Sequence, residues 1–417
     1  MSKRILIVGG GVIGLCTAWY ARQKGHEVTI LERGARDHDC CSLGNAGFVT
    51  PSHVVPLAAP GMVQMGMRMM FDPESPFWIH PRLDGNLMRW GWRFMQSATA
   101  AHVSRSAPLL CALNLASRRL FEEFDDLWSN EFGLQKKGML LLCKTEARLH
   151  EEAEVAEVAK TLGLAAEILT PAQTAERDPG VRMDIAGAIY FADDCHMTPQ
   201  KFVGSLVRHL EEQGVTFAWS TEVTGWRAKD GRIEAALTNR GEFEADETVL
   251  AGGSWSEQIV RDLKLTLPLQ AGKGYSLTHP SPPRLPTLCS ILSEARVAVT
   301  PMGDTLRFGG TMELSGLDLS INPSRVKGIL KSIPRYLPDF SPDDFRDVPI
   351  WCGLRPCSAD GLPYVGRFGR YSNLSAATGH AMMGLSLGPI TGKLLAEILS
   401  GESPSIGIEA LSPDRFA

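Results

Sequence analysis

The sequence predicts an α/β fold, α+β overall, in which a mostly parallel sheet assembled from separated stretches of chain carries an inserted half with a mixed sheet. Three observations carry that prediction. The apolar run Arg4-Ile5-Leu6-Ile7-Val8 breaks off at glycines and passes into an apolar-periodic segment, as a parallel strand buried on both faces followed by a turn and a helix would. Strand-and-glycine patterns return near Thr198 and Leu374. Between these stretches the chain changes to charged helical segments and hairpin-like runs. With 417 residues, two such halves fit the usual ~100 to 200 residues per domain.

Composition narrows the function classes. A hydrophobic fraction of 44% and a charged fraction of 21% exclude disorder, collagen and coiled coil. A net charge of -5 provides no field to collect nucleic acid, so no nucleic-acid partner is expected. Nine cysteines without CxxC spacing indicate neither a disulfide scaffold nor a metal site, and fit a reduced, cytoplasmic protein. Lys3 and Arg4 before an apolar run imitate a leader, but three glycines split the run. No stretch reaches the ~18 apolar residues of a membrane span.

Taken in order, the first elements form a phosphate cradle. The strand ends in Gly9-Gly10-Gly11-Val12-Ile13-Gly14, and a helix follows to about Lys24, with Gly25 as its stop. Gly9 permits the tight turn, Gly11 lets backbone amides at Val12 and Ile13 approach a pyrophosphate, and Gly14 allows the helix to pack closely on the strand. A second strand, Val28 to Leu31, leads to Glu32 and Arg33, with Glu32 23 positions after Gly9. That is close to the ~20 expected of a carboxylate holding a ribose diol. Together these parts read as a Rossmann-like dinucleotide-binding unit. The next loop, Cys41 to Gly47, offers Ser42, Asn45, Ala46 and Gly47 for close backbone approach.

From about Thr50 to Ala192 the inserted half supplies helices Ser106 to Asn130 and Thr145 to Leu162, and strands Met139 to Cys143 and Ala188 to Phe191. The first half resumes with a capped helix from Pro199 to Gln213, a strand from Val215 to Trp219, and Val223. A buried strand follows from Glu247, ending at Ala251 and Gly252, with Trp255 just beyond. Leu267 to Val348 reads as hairpins. The chain then closes through a turn at Gly353 and Arg355, and through Leu374 to Leu385, which contains Gly379, His380, Met383, Gly384 and Leu385. The expected division is 1–50, 193–266 and 349–417 for the cofactor half, and 51–192 and 267–348 for the substrate half. A cradle built from both chain ends encloses a long ligand. Non-covalent FAD fits that better than NAD.

These residues resemble a known family. The glycine turn with Glu32, the Gly44-to-Gly47 loop, the Ala251-to-Ser256 strand end and the Gly379-His380 to Gly384 closure look like the FAD-dependent D-amino-acid oxidase and dehydrogenase superfamily, over essentially the whole chain. Gly44-Asn45-Ala46-Gly47 with Pro51, Pro56-Leu57-Ala58-Ala59-Pro60-Gly61 and Arg82-Leu83-Asp84 look most like bacterial D-amino-acid dehydrogenases. The run from Gly44 to His53 is similar to enzymes of D-proline and D-hydroxyproline.

The resemblance implies hydride transfer from the Cα of a small D-amino acid to flavin N5, giving an imino or 2-oxo acid, with electrons passed to a quinone or respiratory acceptor. Rival readings are a glycine- or sarcosine-type oxidase using oxygen, and a flavoprotein subunit of a hetero-oligomeric dehydrogenase. A substrate carboxylate calls for an arginine fork, and superfamily members carry theirs in a turn comparable to Gly353-Leu354-Arg355-Pro356. Arg355 is the first candidate, the structural alternative being a loop arginine paired with Asp360. Tyr275 is expected to place a hydroxyl above the flavin, and His380 and His53 to face ring or substrate. Arg307, Lys273 and Glu313 are further polar candidates. Between Leu57 and Met95 the chain concentrates Met62, Met65, Met67, Met69, Met70, Phe71, Trp78, Trp90 and Trp92 beside arginines. This composition suits core, subunit contact in a homo- or hetero-oligomer, or peripheral contact with the inner face of the cytoplasmic membrane.

Overall fold

The computed structural model describes residues 1–70 and 72–417. Phe71 of the methionine-rich segment lies outside the described residues. The six-stranded sheet runs in the order Tyr364–Arg367, Leu374–Thr378, Glu247–Leu250, Arg4–Val8, Glu27–Leu31, Thr216–Ala218. All its pairs are parallel except the edge strand Tyr364–Arg367. The central strand explains its own sequence: Ile5 and Ile7 pack under the helices Val12–Gln23 and Gly388–Leu399, while Leu6 and Val8 pack against the small sheet that includes Ala236. Both faces are covered, so no polar alternation survives. The two helices touch so closely that a Cβ on Gly392 would lie 2.4 Å from the Cys16 carbonyl carbon.

The larger sheet has nine strands and is mostly antiparallel. Its path is Ile350–Ser358, Leu269–His279, Thr305–Leu314, Val297–Met302, Cys289–Leu292, Met139–Cys143, Gly187–Phe191, Ala166–Leu169, with Phe77–Ile79 pairing off the path beside Thr305–Leu314. One face packs on the helix Pro323–Tyr336 through Leu277, Phe308, Val326, Ile329 and Ile333. The other face looks toward the six-stranded sheet.

Several elements depart from the sequence reading. The helix expected from Ser106 starts a turn and a half earlier and spans Ala100–Leu127, because the Thr99 side chain caps it by accepting from His102 N. The strand expected over Val215 to Trp219 is three residues long, Thr216–Ala218. Arg355 sits within the strand Ile350–Ser358 and not in a turn. That strand pairs with Leu269–His279 from Leu269↔Ser358 to Leu277↔Ile350. A division at residue 349 therefore separates a strand from its sheet. Nonpolar patterning missed this because Gly353, Arg355 and Pro356 read locally as loop residues.

Among the described residues no helix is long and apolar enough to cross a membrane. The helix Met62–Met69 buries none of its residues, and Gly85–Ser97 buries only Trp90.

Candidate active site

A cavity of about 1980 Å³ runs between the two sheets, from the glycine turn at Gly9 and Gly11 past Arg355 to the methionine-rich helices. Its inner end has the shape of a dinucleotide cradle. Gly9 has φ +115°, and a Cβ there would lie 2.4 Å from the Ala251 carbonyl oxygen. A Cβ on Gly14 would lie 2.0 Å from the Gly9 carbonyl oxygen. The helix Val12–Gln23 starts at Gly11, which has no side chain to cap it, and carries no acid in its first turn, which suits its positive end to an anion. Glu32 is held at the end of its strand by accepting from Gly10 N and Gly34 N, each at 2.8 Å. The Arg33 guanidinium stacks 3.7 Å over the Trp255 ring.

Ser42 Oγ accepts from Val12 N at 3.0 Å, and Asn45 Oδ1 accepts from Gly47 N at 2.8 Å. Arg307 clamps this loop from the larger sheet, its Nη1 donating to Leu43 O at 2.9 Å and Asn45 O at 2.7 Å. Burial pushes its pKa down to about 10, so it stays charged at neutral pH. The sequence had offered Arg307 only as an unranked polar residue; its role depends on a contact spanning about 260 positions. Val223, Ala251, Gly252, Gly353, Met383, Gly384 and Leu385 also line the cavity. Gly379, with φ +81°, packs against Tyr364.

Trp351 went unnoticed in the sequence. Its ring lies where a Cβ on Gly44 would approach to 2.2 Å and one on Gly353 to 2.0 Å. The glycines at 44 and 353 were the available signal.

Arg355 crosses its neighbouring strand. Its guanidinium lies over Gly274, where a Cβ would come within 2.2 Å, and its Nη1 donates to Thr311 O at 2.7 Å. It pairs with no carboxylate among the described residues. The alternative partner, Asp360, is engaged by Arg415 through Nε at 2.7 Å and Nη2 at 2.9 Å. A charged fork lining a cavity without a counterion is suited to an incoming carboxylate.

Tyr275 lines the same cavity, but its hydroxyl is not turned toward Arg355. Gly274 lies under Arg355, so its successor points to the opposite face of the strand. There the Tyr275 hydroxyl donates to Glu313 Oε2 at 3.0 Å and accepts from Asn322 N at 3.1 Å. Lys273 and Glu313 belong to the same buried cluster, 3.1 Å apart, with Asp318 2.8 Å from Lys273 Nζ. This cluster ties down the chain at 318–322 on the side away from the Arg355 fork.

His53, half-buried, and His380, buried, both line the cavity, each with a buried Nδ1 that has no partner among the described residues. His380 Nε2 meets Thr391 Oγ1 at 2.9 Å. Burial pushes His53 and His196 down to about 4 and His380 to about 3, so all three are neutral in the folded protein at pH 7. The unfolded chain protonates them near 6.5, so their stabilisation is complete above that pH and is lost as pH falls toward 4. Asp194, which accepts from Ser52 N and Oγ, opposes this. Burial raises it from 3.8 to about 7, so its contribution declines as pH rises through that interval. His38, raised to about 9 chiefly by its hydrogen bond with Cys40, also opposes the three, and His26, lowered by burial, joins them; on balance unfolding free energy is expected to rise by about 3 kcal/mol between pH 5 and 6.5. Urea titrations at the two pH values measure this, and Asp194→Asn should steepen the rise. A flat profile would contradict it.

Comparison with known proteins places the chain in a family. The family described as FAD dependent oxidoreductase matches residues 4–398. The D-amino acid dehydrogenase of Granulibacter bethesdensis is 32% identical over 99% of this chain and 100% of its own. That of Agrobacterium fabrum is 32% identical over 99% of each. Among solved structures, glycine oxidase from Geobacillus kaustophilus shares the fold with a TM-score of 0.78 and 22% identity over 100% of both chains. L-proline dehydrogenase from P. horikoshii does so with a TM-score of 0.75 and 16% identity, over 100% of this chain and 98% of its own.

Proposed function

The chain belongs to the FAD-dependent oxidoreductase family, and on that premise we propose that it is a D-amino-acid dehydrogenase. FAD is its cofactor. The observation that carries the reading is Arg355, an arginine fork without a counterion among the described residues, in the same cavity as the glycine turn. The full-length similarity to D-amino acid dehydrogenases supports the stereochemistry.

Gly9, Gly11, Gly14, Glu32, Arg33, Ser42 and the Asn45-to-Gly47 loop would hold the dinucleotide, with Ala251, Gly252, Trp255, Gly353 and Gly379-to-Leu385 along its length. When bound, FAD supplies the two-electron acceptor for oxidation at the substrate Cα. The chain's own part is positioning. Arg355 grips the carboxylate and fixes where Cα lies. His380 and His53, neutral at working pH, offer hydrogen bonds without adding charge. No side-chain base is required if the amine enters neutral. The attachment is read as non-covalent: Cys357 is buried with its thiol pushed up to about 12, and the Cys352 thiol donates to Leu319 O at 2.9 Å.

For the acceptor we favour a quinone over oxygen. Met67, Leu83, Met88, Trp92 and Met95 are exposed on the segment that forms the outer end of the cavity, and such side chains suit an apolar acceptor or a peripheral bilayer contact. One assay tests both statements: reduction of a dye and of a short-chain quinone by D-alanine, D-arginine, D-proline, cis-4-hydroxy-D-proline and their L forms, with peroxide measured in air. Turnover of D forms with little peroxide is expected. Preference for L forms would overturn the stereochemistry, and stoichiometric peroxide would overturn the acceptor.

A further inference from the structure

A second guanidinium faces the cavity. Arg296 immediately precedes the strand Val297–Met302, lines the cavity and is exposed toward it. Among the described residues it pairs with no carboxylate, and its Nη2 meets only the Met65 sulfur, at 3.3 Å. The nearby acids are already engaged. Glu152 is bonded by Arg148 and accepts from Ser293 Oγ at 2.7 Å, and Glu151 pairs with Arg148 at 2.7 Å. Arg296 also holds a left-handed backbone with φ +51°, a position where glycine or asparagine would sit with less strain. Desolvation by the surrounding cavity walls, and then repulsion from Arg148, lower its pKa, with Glu152 acting weakly the other way. A bound anion would offset both.

Its place relative to Arg355 is set by the sheet. Val297 lies opposite Gly310, and a Cβ on Gly310 would be 3.4 Å from Arg296 O. The next residue, Thr311, carries the carbonyl that Arg355 engages. The Arg355 fork over Gly274 and the main chain at Arg296 thus flank the strand Thr305–Leu314 from opposite sides, about two strand spacings or ~10 Å apart. Met65 and Met312 line the same wall, and such side chains suit methylene groups.

We propose that Arg296 forms a second anion subsite in the substrate cavity, and that the preferred substrates are dicarboxylic amino acids with one carboxylate on Arg355 and the other on Arg296. This rests on the D-amino-acid reading above and names its substrate class. The second carboxylate belongs to an acidic side chain or to an N-carboxyalkyl group; the recognising chemistry is the same.

Titrating the flavin absorbance of the FAD-loaded enzyme with glutarate and with butyrate isolates the second carboxylate. Glutarate is expected to bind at least about tenfold tighter, the effect of one charge-assisted contact. Arg296→Gln should bring the ratio toward one, and Arg296→Lys should restore part of it. In turnover, the kcat/KM ratio of D-glutamate to D-glutamine and that of N-carboxymethyl- to N-methyl-D-alanine separate the two placements. A glutarate-to-butyrate ratio near one in the unaltered enzyme, or a ratio indifferent to Arg296→Gln, overturns the subsite. If no D-amino acid reduces the dye while glutarate keeps its advantage, the substrate reading falls and the subsite stands.

Discussion

Arg355→Leu is expected to lower kcat/KM for amino-acid substrates by about 100- to 1000-fold, chiefly through KM, with flavin content unchanged. The magnitude follows from removing a desolvated fork that makes charge-assisted bonds, a loss of about 3 to 4 kcal/mol. Flavin should be retained because the Arg355 guanidinium contacts Thr311 and overlies Gly274, both in the larger sheet and apart from the glycine turn. Arg355→Lys keeps the charge but not the planar fork, so it should recover only part of the loss. Steady-state kinetics with an artificial acceptor, beside an absorbance ratio for bound flavin, measure both quantities. An unaltered KM would remove Arg355 from the substrate carboxylate, and with it the main support for an amino-acid substrate.

Gly14→Ala should yield protein without flavin and less stable by about 3 kcal/mol. The added methyl would lie 2.0 Å from the Gly9 carbonyl oxygen and 3.3 Å from Ile7 Cγ2, and the nearest obstacle is backbone, which cannot rotate away as a side chain tip does. Relief requires the helix Val12–Gln23 to move off its strand, carrying its N-terminal amides away from the pyrophosphate position. Gly25→Ala is a useful contrast. No atom lies within 4 Å of a Cβ there, so its cost is limited to the positive φ of a helix stop. Flavin stoichiometry and urea unfolding of the two variants give the comparison. Full flavin content in Gly14→Ala would show that the turn does not carry the cofactor.

The two regions differ in how far sequence alone could describe them. Strand, glycine turn, helix, strand and Glu32 lie within the first 32 residues, and their register is set locally: Ile7 opposite Ile30, Val8 opposite Leu31. Hydrophobic period, turn chemistry and one carboxylate were therefore enough to read the cradle. The substrate side was harder because its residues meet across a sheet whose neighbouring strands are far apart in the chain. Tyr275 shows the difficulty. It lines the cavity, but strand parity, which its neighbours in sequence do not reveal, turns its hydroxyl to Glu313.

The chain by itself determined the α/β class, the glycine-turn unit and, through resemblance, the choice of Arg355 as first candidate. Tertiary structure decided that Asp360 belongs to Arg415, that Arg307 clamps the Leu43-to-Asn45 loop, and that Arg296 lines the cavity without an ion-pair partner among the described residues. The physical reason is that a cradle made of consecutive elements is specified by local backbone preferences. The charge balance of a pocket depends instead on which distant side chains have already found partners, and only the assembled sheets determine that.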